Sequence, residues 1–290
     1  MPQYNLAVIV PSFNGVRFIS QCLQSIVVFA QKNQTTFTTH IFFIDDGSTD
    51  TTAQTIRTLK KDLPRNILTY QYKKNGGLAA ARNSGLRLLK KQYTSIAARA
   101  KTFCLFLDVD DVLLPNRIAF DSQAGLNIYG YILHGKKVSV AKAAFGTLLS
   151  RNPFVVSCII TTLHTTLFFN EQLTCLEDWE YWLRQKYLQQ ATISVHQDVL
   201  TAIMDSPQSM SKNLKKMTKN RVAVAKSILK IAKNRLTYKE KDLLRLHLLF
   251  QKPLSLVSLV RVMFTHGHYW LQPQFMKLIF CNIFKRNICW

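Results

Sequence analysis

Three aspartates stand close together after an apolar run in the first half of the chain. Asp108, Asp110 and Asp111 follow the apolar segment 103–107 directly. Carboxylates this close repel one another unless a cation lies between them, and hard oxygen ligands of this kind suit Mg²⁺ or Mn²⁺ held together with substrate phosphates. We therefore expect a divalent metal site here. The alternative is an acidic turn that caps a helix near Asn116.

Two glycines followed by an arginine form a second candidate group. Gly76 and Gly77 precede an alanine-rich segment that ends in Arg82, which is typical of a turn that leads into a helix. Backbone N–H groups at a helix start, with an arginine beside them, are suited to bind a diphosphate. As an isolated feature, however, a glycine turn is more often only a turn.

The segments that carry these residues alternate between short apolar runs and longer helical patterns. We predict strands at 6–10, 40–44, 67–71 and 102–107, and helices at 16–31, 51–61 and 78–91. This alternation indicates an α/β protein with a mostly parallel sheet. Polar clusters follow or lie near all four strands, and the carboxyl ends of parallel strands share one edge of a sheet, so we expect the clusters to converge.

Four ordered segments resemble the signatures of the inverting nucleotide-sugar glycosyltransferases of family 2, which have a GT-A fold. They are VIVPSFN at 8–14, IDDGSTD at 44–50, NGGLAAARN at 75–83 and FLDVDD at 106–111. A fifth segment, LEDWEYWLR at 176–184, resembles the stretch that carries the catalytic base in that family. The resemblance implies a Rossmann-like, mostly parallel sheet flanked by helices.

The resemblance also implies how the chain is divided. A catalytic unit would span residues 1–206, with a nucleotide-sugar half at 1–117 and an acceptor half at 118–206. A basic, mainly α-helical region would follow at 207–290.

On the nucleotide side, the resemblance implies a role for several matching residues. Phe13 would pack against the nucleobase, and Asp46 would accept a hydrogen bond from its ring N–H. Arg82 would face the diphosphate. The other residues implied to contact the nucleotide are Pro11, Asn14 and Gly77.

On the chemical side, the resemblance implies a metal site and a base. Asp110 would bind Mn²⁺ or Mg²⁺ directly, with Asp108 near the ribose or the water ligands of the metal. Asp178 would deprotonate the acceptor hydroxyl. The alternative for Asp178 is an ordinary acid in the first turn of an amphipathic helix.

The implied activity is transfer of a sugar, with inversion, from a nucleoside diphosphate sugar to an acceptor hydroxyl. A UDP-sugar is the foremost donor, and a glycan or a lipid-linked glycan is the expected acceptor. Ser206 stands where the family usually has a histidine that touches the metal or the diphosphate, and a hydroxyl is a weaker ligand than imidazole. The alternative function is therefore a degenerate homologue that binds a nucleotide or a partner without catalysis.

Composition describes a globular chain with a strongly basic end. Hydrophobic residues make up 48% of the 290 residues, and the net charge is +22. Residues 207–290 contain 17 basic residues and two acids in helical patterns. These helices either pack on the catalytic unit with solvated lysines or form a surface for anionic lipid. Nucleic acid is not an expected partner, since no recognisable binding module accompanies the charge.

Cysteine usage and hydropathy indicate where the protein works. The six cysteines include no C-x-x-C pair and lie mostly in apolar runs, which is typical of reduced core thiols. No secretory leader is predicted, and the longest uncharged stretches, 152–170 and 262–276, are too polar to span a bilayer. We expect a cytoplasmic protein that is either free or peripheral on the inner face of the membrane.

Overall fold

A computed structural model describes residues 2–140, 148–164, 166–204 and 213–249 of the chain. Ser206, Cys281 and Cys289 lie outside the described residues, as does the boundary expected between residues 206 and 207.

The first half of the chain alternates strands and helices in the predicted order. Its elements are β1 Tyr4–Ser12, α1 Val16–Lys32, β2 Phe37–Asp45, α2 Thr52–Leu59, β3 Leu68–Tyr72, α3 Leu78–Gln92, α4 Ile96–Ala100 and β4 Thr102–Phe106. Every strand and helix predicted for this half is present, and each end lies within about three residues of the prediction, the usual uncertainty of element ends. The short helix α4 was not predicted.

The second half consists mostly of strands until its last two helices. Its elements are β5 Val112–Leu113, β6 Leu126–Leu133, β7 Lys136–Val138, β8 Ile159–Thr162, α5 Glu177–Leu188, β9 Ile193–Ile203, α6 Leu214–Ile231 and α7 Tyr238–Leu249. The chain around Asn116 follows β5 and contains no helix in the described structure. The alternative in which the aspartates after β4 cap a helix there is therefore wrong.

The described strands form one mixed sheet in the order β3-β2-β1-β4-β8-β6-β9-β5, with β7 paired to β6. β1 lies parallel between β2 and β4, and β2 pairs parallel with β3. β8 joins β4 to β6 through antiparallel ladders. The longest ladders are the parallel ones, as predicted. The carboxyl ends of β1, β2 and β4 consequently meet at one edge of the sheet.

Both faces of β1 are buried, which explains why its sequence is a continuous apolar run rather than an alternating one. Ala7 and Ile9 belong to the hydrophobic cluster on one face, and Leu6, Val8 and Val10 belong to the cluster on the other. Each fully buried side chain of the size of valine or isoleucine stabilises the fold by about 1.5–3 kcal/mol. Helices α1 and α2 cover one face of the sheet, and α3 and α5 cover the other.

The basic helix α6 packs on α5 rather than standing apart. Val224 and Ile228 of α6 are fully buried in the same cluster as Trp182 of α5. Across this contact, Ser227 Oγ donates a hydrogen bond of 2.8 Å to Glu180 Oε1. In residues 213–249 the basic helices therefore pack on the rest of the molecule, and Lys219, Lys226 and Lys230 of α6 are exposed.

Four of the six cysteines lie in the described part of the chain. Cys22, Cys104, Cys158 and Cys175 are buried free thiols. Burial raises the pKa of Cys104 and of Cys158 to about 12, so these thiols are unreactive. Over the described ranges, the structure contains no helix that is both long and apolar enough to cross a bilayer.

Candidate active site

The turn after β4 separates its aspartates into two environments. Asp111 is 4% exposed, and its two oxygens accept hydrogen bonds from Ser157 Oγ at 2.5 Å and from the Met204 amide at 3.3 Å. Asp108 and Asp110 stay partly exposed. Both oxygens of Asp111 thus bind donors of the protein itself, while Asp108 and Asp110 remain accessible at the edge of the sheet.

Burial and the short distances among these carboxylates raise the pKa of two of them. Burial, followed by the charge of Asp108, raises the pKa of Asp110, and the same two causes raise the pKa of Asp111 to about 8. Like charges at short range disfavour ionisation, and a bound cation would relieve that repulsion. This donor set therefore fits a hard divalent cation.

The protein alone does not complete a metal site in the part of the chain that the structure describes. No group of three or more His, Cys, Asp or Glu side chains lies close enough to hold an ion there. Mg²⁺ is commonly bound by one or two carboxylates together with water and substrate phosphates. Asp108 and Asp110 fit that kind of site, in which the substrate supplies the remaining ligands.

Arg82 connects the turn after β4 to the start of α5. The residue is 1% exposed, and its Nη2 donates to Asp108 Oδ1 at 2.7 Å while its Nη1 donates to Glu177 Oε1 at 2.6 Å. Burial opposes the charge of Arg82, but the two carboxylates outweigh burial and raise its pKa. Arg82, which was expected to face a diphosphate, therefore bridges the end of β4 and the start of α5. One oxygen of Asp108 is committed to this bridge.

The start of α5 is set by an unusual backbone conformation. Leu176 has φ 62° and ψ 18°, the left-handed region that a branched side chain seldom adopts. Such a conformation costs of order 1–3 kcal/mol and persists where the surrounding packing imposes it. It allows the helix to begin directly at Glu177, so that Glu177 and Asp178 occupy its first turn.

Asp178 and Glu177 have different surroundings although they are adjacent. Asp178 Oδ2 accepts a hydrogen bond from Asn152 Nδ2 at 2.7 Å, and its Oδ1 accepts one from the Trp179 amide at 2.8 Å. Burial, followed by the charge of Glu177, raises the pKa of Asp178 to about 7. Glu177 is paired with Arg82, which leaves Asp178 as the carboxylate suited to exchange a proton near neutral pH.

Asn152 is a site residue that the sequence did not suggest. It lies at the start of an uncharged stretch with no recognised motif, far from Asp178 along the chain. Its amide group is a donor to an ionised carboxylate, which orients the carboxylate and favours the charged form. Only the folded arrangement of 148–164 against α5 shows this contact.

Asp46 lies under the glycine turn at the other end of the site. The residue is 3% exposed, and the amides of Gly76 and Gly77 donate to its two oxygens at 3.0 and 2.8 Å. The ammonium group of Lys73 pairs with the same oxygen as Gly76. An ionised carboxylate has about four acceptor positions, so these three donors leave one position unused.

The loops after β1 and β2 are tied together next to Asp46. Asn14 Oδ1 accepts a hydrogen bond from the Thr49 backbone N–H at 2.8 Å, and the backbone N–H of Asn14 donates to Ser48 Oγ at 2.9 Å. Phe13 beside them is 53% exposed, an accessible aromatic face suited to stacking. Pro11, by contrast, is buried within β1 opposite Ile44.

A separate cavity of about 450 Å³ lies between α3, α5, α6 and residues 166–171. Two ion pairs lie along its wall, Arg87 with Glu171 at 3.2 Å and Arg184 with Glu180 at 3.5 Å. None of the acids assigned to the metal or to proton transfer lines this cavity. We therefore do not include it in the candidate site.

The first part of the chain matches a family of known proteins. Residues 7–119 match the sequence profile described as Glycosyl transferase family 2. An uncharacterized glycosyltransferase of Rickettsia felis is 32% identical over 113 residues, which cover 39% of this chain and 16% of that protein. A teichoic acid poly(glycerol phosphate) polymerase of Staphylococcus epidermidis is 28% identical in an alignment over 205 residues that covers 63% of this chain and 26% of that protein. The chain therefore spans only a small part of the length of these relatives.

Two solved structures have a fold similar to that of this chain. S. aureus TarS in complex with UDP-GlcNAc superposes with a TM-score of 0.57 at 18% identity, covering 96% of this chain and 81% of that one. The mannosyltransferase PcManGT of Pyrobaculum calidifontis, in complex with GDP-Man and Mn²⁺, gives a TM-score of 0.55 at 14% identity and covers 97% and 86% of the two chains. At these identities the likeness concerns the fold.

Proposed function

We propose that this chain, which has the GT-A fold and whose residues 7–119 match glycosyl transferase family 2, transfers a sugar from a nucleoside diphosphate sugar to an acceptor hydroxyl with inversion. A UDP-sugar is the proposed donor, and a cell-envelope glycan or a lipid-linked glycan is the proposed acceptor. The relative named for teichoic acid synthesis and the nucleotide sugars bound in the two similar structures support this choice.

One observation carries the proposal: adjacent acids at the start of α5 have divided roles. Glu177 is bound to Arg82 and so belongs to the bridge that reaches Asp108. Asp178 is held by two neutral donors and keeps a raised pKa. An acid that is oriented, without a cationic partner of its own in the described structure, and poised near neutral pH is what a general base requires.

In the proposed reaction, Asp178 accepts the proton of the acceptor hydroxyl while the hydroxyl oxygen attacks the anomeric carbon. The new carbon–oxygen bond forms on the face opposite the bond to the departing diphosphate, so the configuration at that carbon inverts. A Mn²⁺ or Mg²⁺ ion at Asp110 and Asp108 would neutralise the charge on the leaving diphosphate. Arg82 keeps Asp108 and α5 at a fixed separation during this transfer.

The donor nucleotide is proposed to bind along the loops after β1, β2 and β3. Phe13 packs against the nucleobase, and the remaining acceptor position of Asp46 receives its ring N–H. Gly77 and Asn14 shape the floor of this subsite, and Pro11 supports it from within β1. The Gly76 and Gly77 amides orient Asp46.

Replacing the base separates chemistry from binding. Asp178→Asn removes basicity but keeps size and hydrogen bonding, so we expect turnover to fall by about 10²- to 10⁴-fold with donor affinity nearly unchanged. Glu177→Gln is the matched control, with a smaller expected loss. Transfer rates with a panel of nucleotide sugars, together with calorimetric UDP binding in Mn²⁺, measure both quantities. Near-full activity in Asp178→Asn, or a larger loss in Glu177→Gln, would contradict the assignment.

The alternative function, nucleotide binding without catalysis, is favoured by Ser206 at the position of the usual histidine. It predicts that the unaltered protein binds UDP with Mn²⁺ but neither transfers nor hydrolyses any sugar of the panel. Turnover with any donor excludes it.

A further inference from the structure

The connection between α6 and α7 exposes two large hydrophobic side chains. Ile231 at the end of α6 is 40% exposed, and Tyr238 at the start of α7 is 73% exposed. Only five large hydrophobic side chains are this exposed in the described part of the chain. We refer to residues 230–239 as the α6–α7 corner. Its basic residues are Lys230, Lys233, Arg235 and Lys239, and it contains no acid.

The corner is held from the inside. Ala232 and Leu236 are buried, and Arg235 Nη1 donates to the Leu188 carbonyl at 3.2 Å. The Thr237 amide donates to Glu240 Oε2 at 2.8 Å, and the Glu240 amide donates to Thr237 Oγ1 at 3.3 Å, a reciprocal cap that starts α7. The outward side chains therefore project from a fixed turn.

The surface around the corner is positive. Helix α6 contains no acidic residue, and the exposed Lys219, Lys226 and Lys230 share one of its faces. The two acids of α7 are held within the protein: the partly exposed Glu240 accepts a hydrogen bond at Oε1 from Tyr187 at 2.7 Å, and Asp242 is 5% exposed. The charged side chains classed as exposed in α6, the corner and α7 are thus all cationic.

We propose that the α6–α7 corner docks on an anionic phospholipid surface. An aliphatic and an aromatic side chain surrounded by lysines match a bilayer interface, where apolar tips enter the acyl boundary and ammonium groups meet phosphates. A soluble polyanion would satisfy the lysines but would give Ile231 and Tyr238 no apolar phase. The inference rests on the proposed function in one respect, because docking would bring the site to a lipid-linked acceptor.

Vesicle flotation of the full chain tests the corner. We expect binding to phosphatidylcholine vesicles that contain phosphatidylglycerol and little binding to phosphatidylcholine alone. Near an anionic surface each lysine contributes about 1 kcal/mol, so Lys230→Gln with Lys233→Gln should weaken binding by roughly 25-fold. Tyr238→Ser, which changes no charge, should weaken it several-fold.

A matched control distinguishes the effect of lysines at the corner on vesicle binding from the effect of the net charge of the protein. Lys60→Gln with Lys61→Gln removes the same charge from exposed positions after α2, which packs on the opposite face of the sheet. We expect the control to bind vesicles like the unaltered protein, and all variants to keep the melting temperature.

Three results would overturn the inference. These are an equal loss in the control, unchanged binding in the corner variants, and binding of soluble polyphosphate without binding of vesicles. Donor hydrolysis without vesicles is measured on the same variants and should be unaffected. If the unaltered protein shows no turnover but binds vesicles in this variant-dependent manner, the proposed function fails while the docking surface stands.

Discussion

Replacing Arg82 tests whether the acid edge is held together from within. Arg82→Met keeps an unbranched side chain but leaves Glu177 and Asp108 without the guanidinium. The side chains of Arg82 and Glu177 are 2% and 5% exposed, whereas that of Asp108 is 33% exposed. In the variant, water can therefore solvate the unpaired charge of Asp108 but not that of Glu177. Most of the destabilisation should arise at Glu177.

The magnitudes follow from these exposures. Removing one partner of a buried ion pair costs about 3–5 kcal/mol, so we expect Arg82→Met to lower the free energy of unfolding by that amount. Adding Glu177→Gln removes the unpaired buried charge and should recover about 1–3 kcal/mol. Adding Asp108→Asn instead should recover less than about 1 kcal/mol, because solvent screens a partly exposed carboxylate.

Urea unfolding followed by tryptophan fluorescence provides the assay, since Trp179 and Trp182 are buried in α5. Arg82→Lys is the conservative variant, which keeps the charge but cannot bridge two carboxylates with a planar fork. Equal recovery by Asp108→Asn and Glu177→Gln would refute the reasoning. Calorimetric UDP binding with Mn²⁺ then tests whether Arg82 also contacts the diphosphate. If it does, Arg82→Met with Glu177→Gln should bind UDP more weakly than Glu177→Gln alone.

Three further predictions concern the metal and the base. Asp110→Ala should weaken Mn²⁺-dependent UDP binding by about 10-fold or more, the value of a charge-assisted contact, and equal affinity by calorimetry would exclude Asp110 as a ligand. Turnover should fall as the pH is lowered through the pKa of Asp178, about 7, because only the ionised carboxylate accepts a proton. Asn152→Ala removes a donor that stabilises the ionised form and should therefore move this limb of the pH profile to higher pH, with donor affinity unchanged; an unshifted limb would show that Asn152 does not tune the base.

The first half of the fold is predictable because its signals are local. β1 and β2 are continuous apolar runs bounded by polar turns, and α1 repeats its buried positions at helical spacing, so that Ile19, Leu23 and Ile26 share one face. The strands of the second half lack such signals. β6 changes register around Gly130, and β5 has only two residues whose partners lie in β9, so its pairing depends on contacts remote in sequence.

The candidate site divides in the same way. Asp108, Asp110 and Asp178 stand in recognisable local patterns, and their types and spacing are enough to suggest a chemistry. The bond from Arg82 to Glu177 and the bond from Asn152 to Asp178 have no local signature, because each joins distant segments that meet only when α5 packs against the sheet. The assignments of metal ligand and base remain predictions.

The bridge formed by Arg82 also sets the smallest portion of this protein that could be exchanged between relatives. The segment that matches the family profile, residues 7–119, contains Arg82 and Asp108 but ends well before Glu177. If this segment alone were transferred into a relative, the buried guanidinium of Arg82 would keep Asp108 but would lose Glu177 as its second carboxylate. A chimera designed around this edge should therefore extend from β1 through the first turn of α5, so that the arginine travels with both of its counterions.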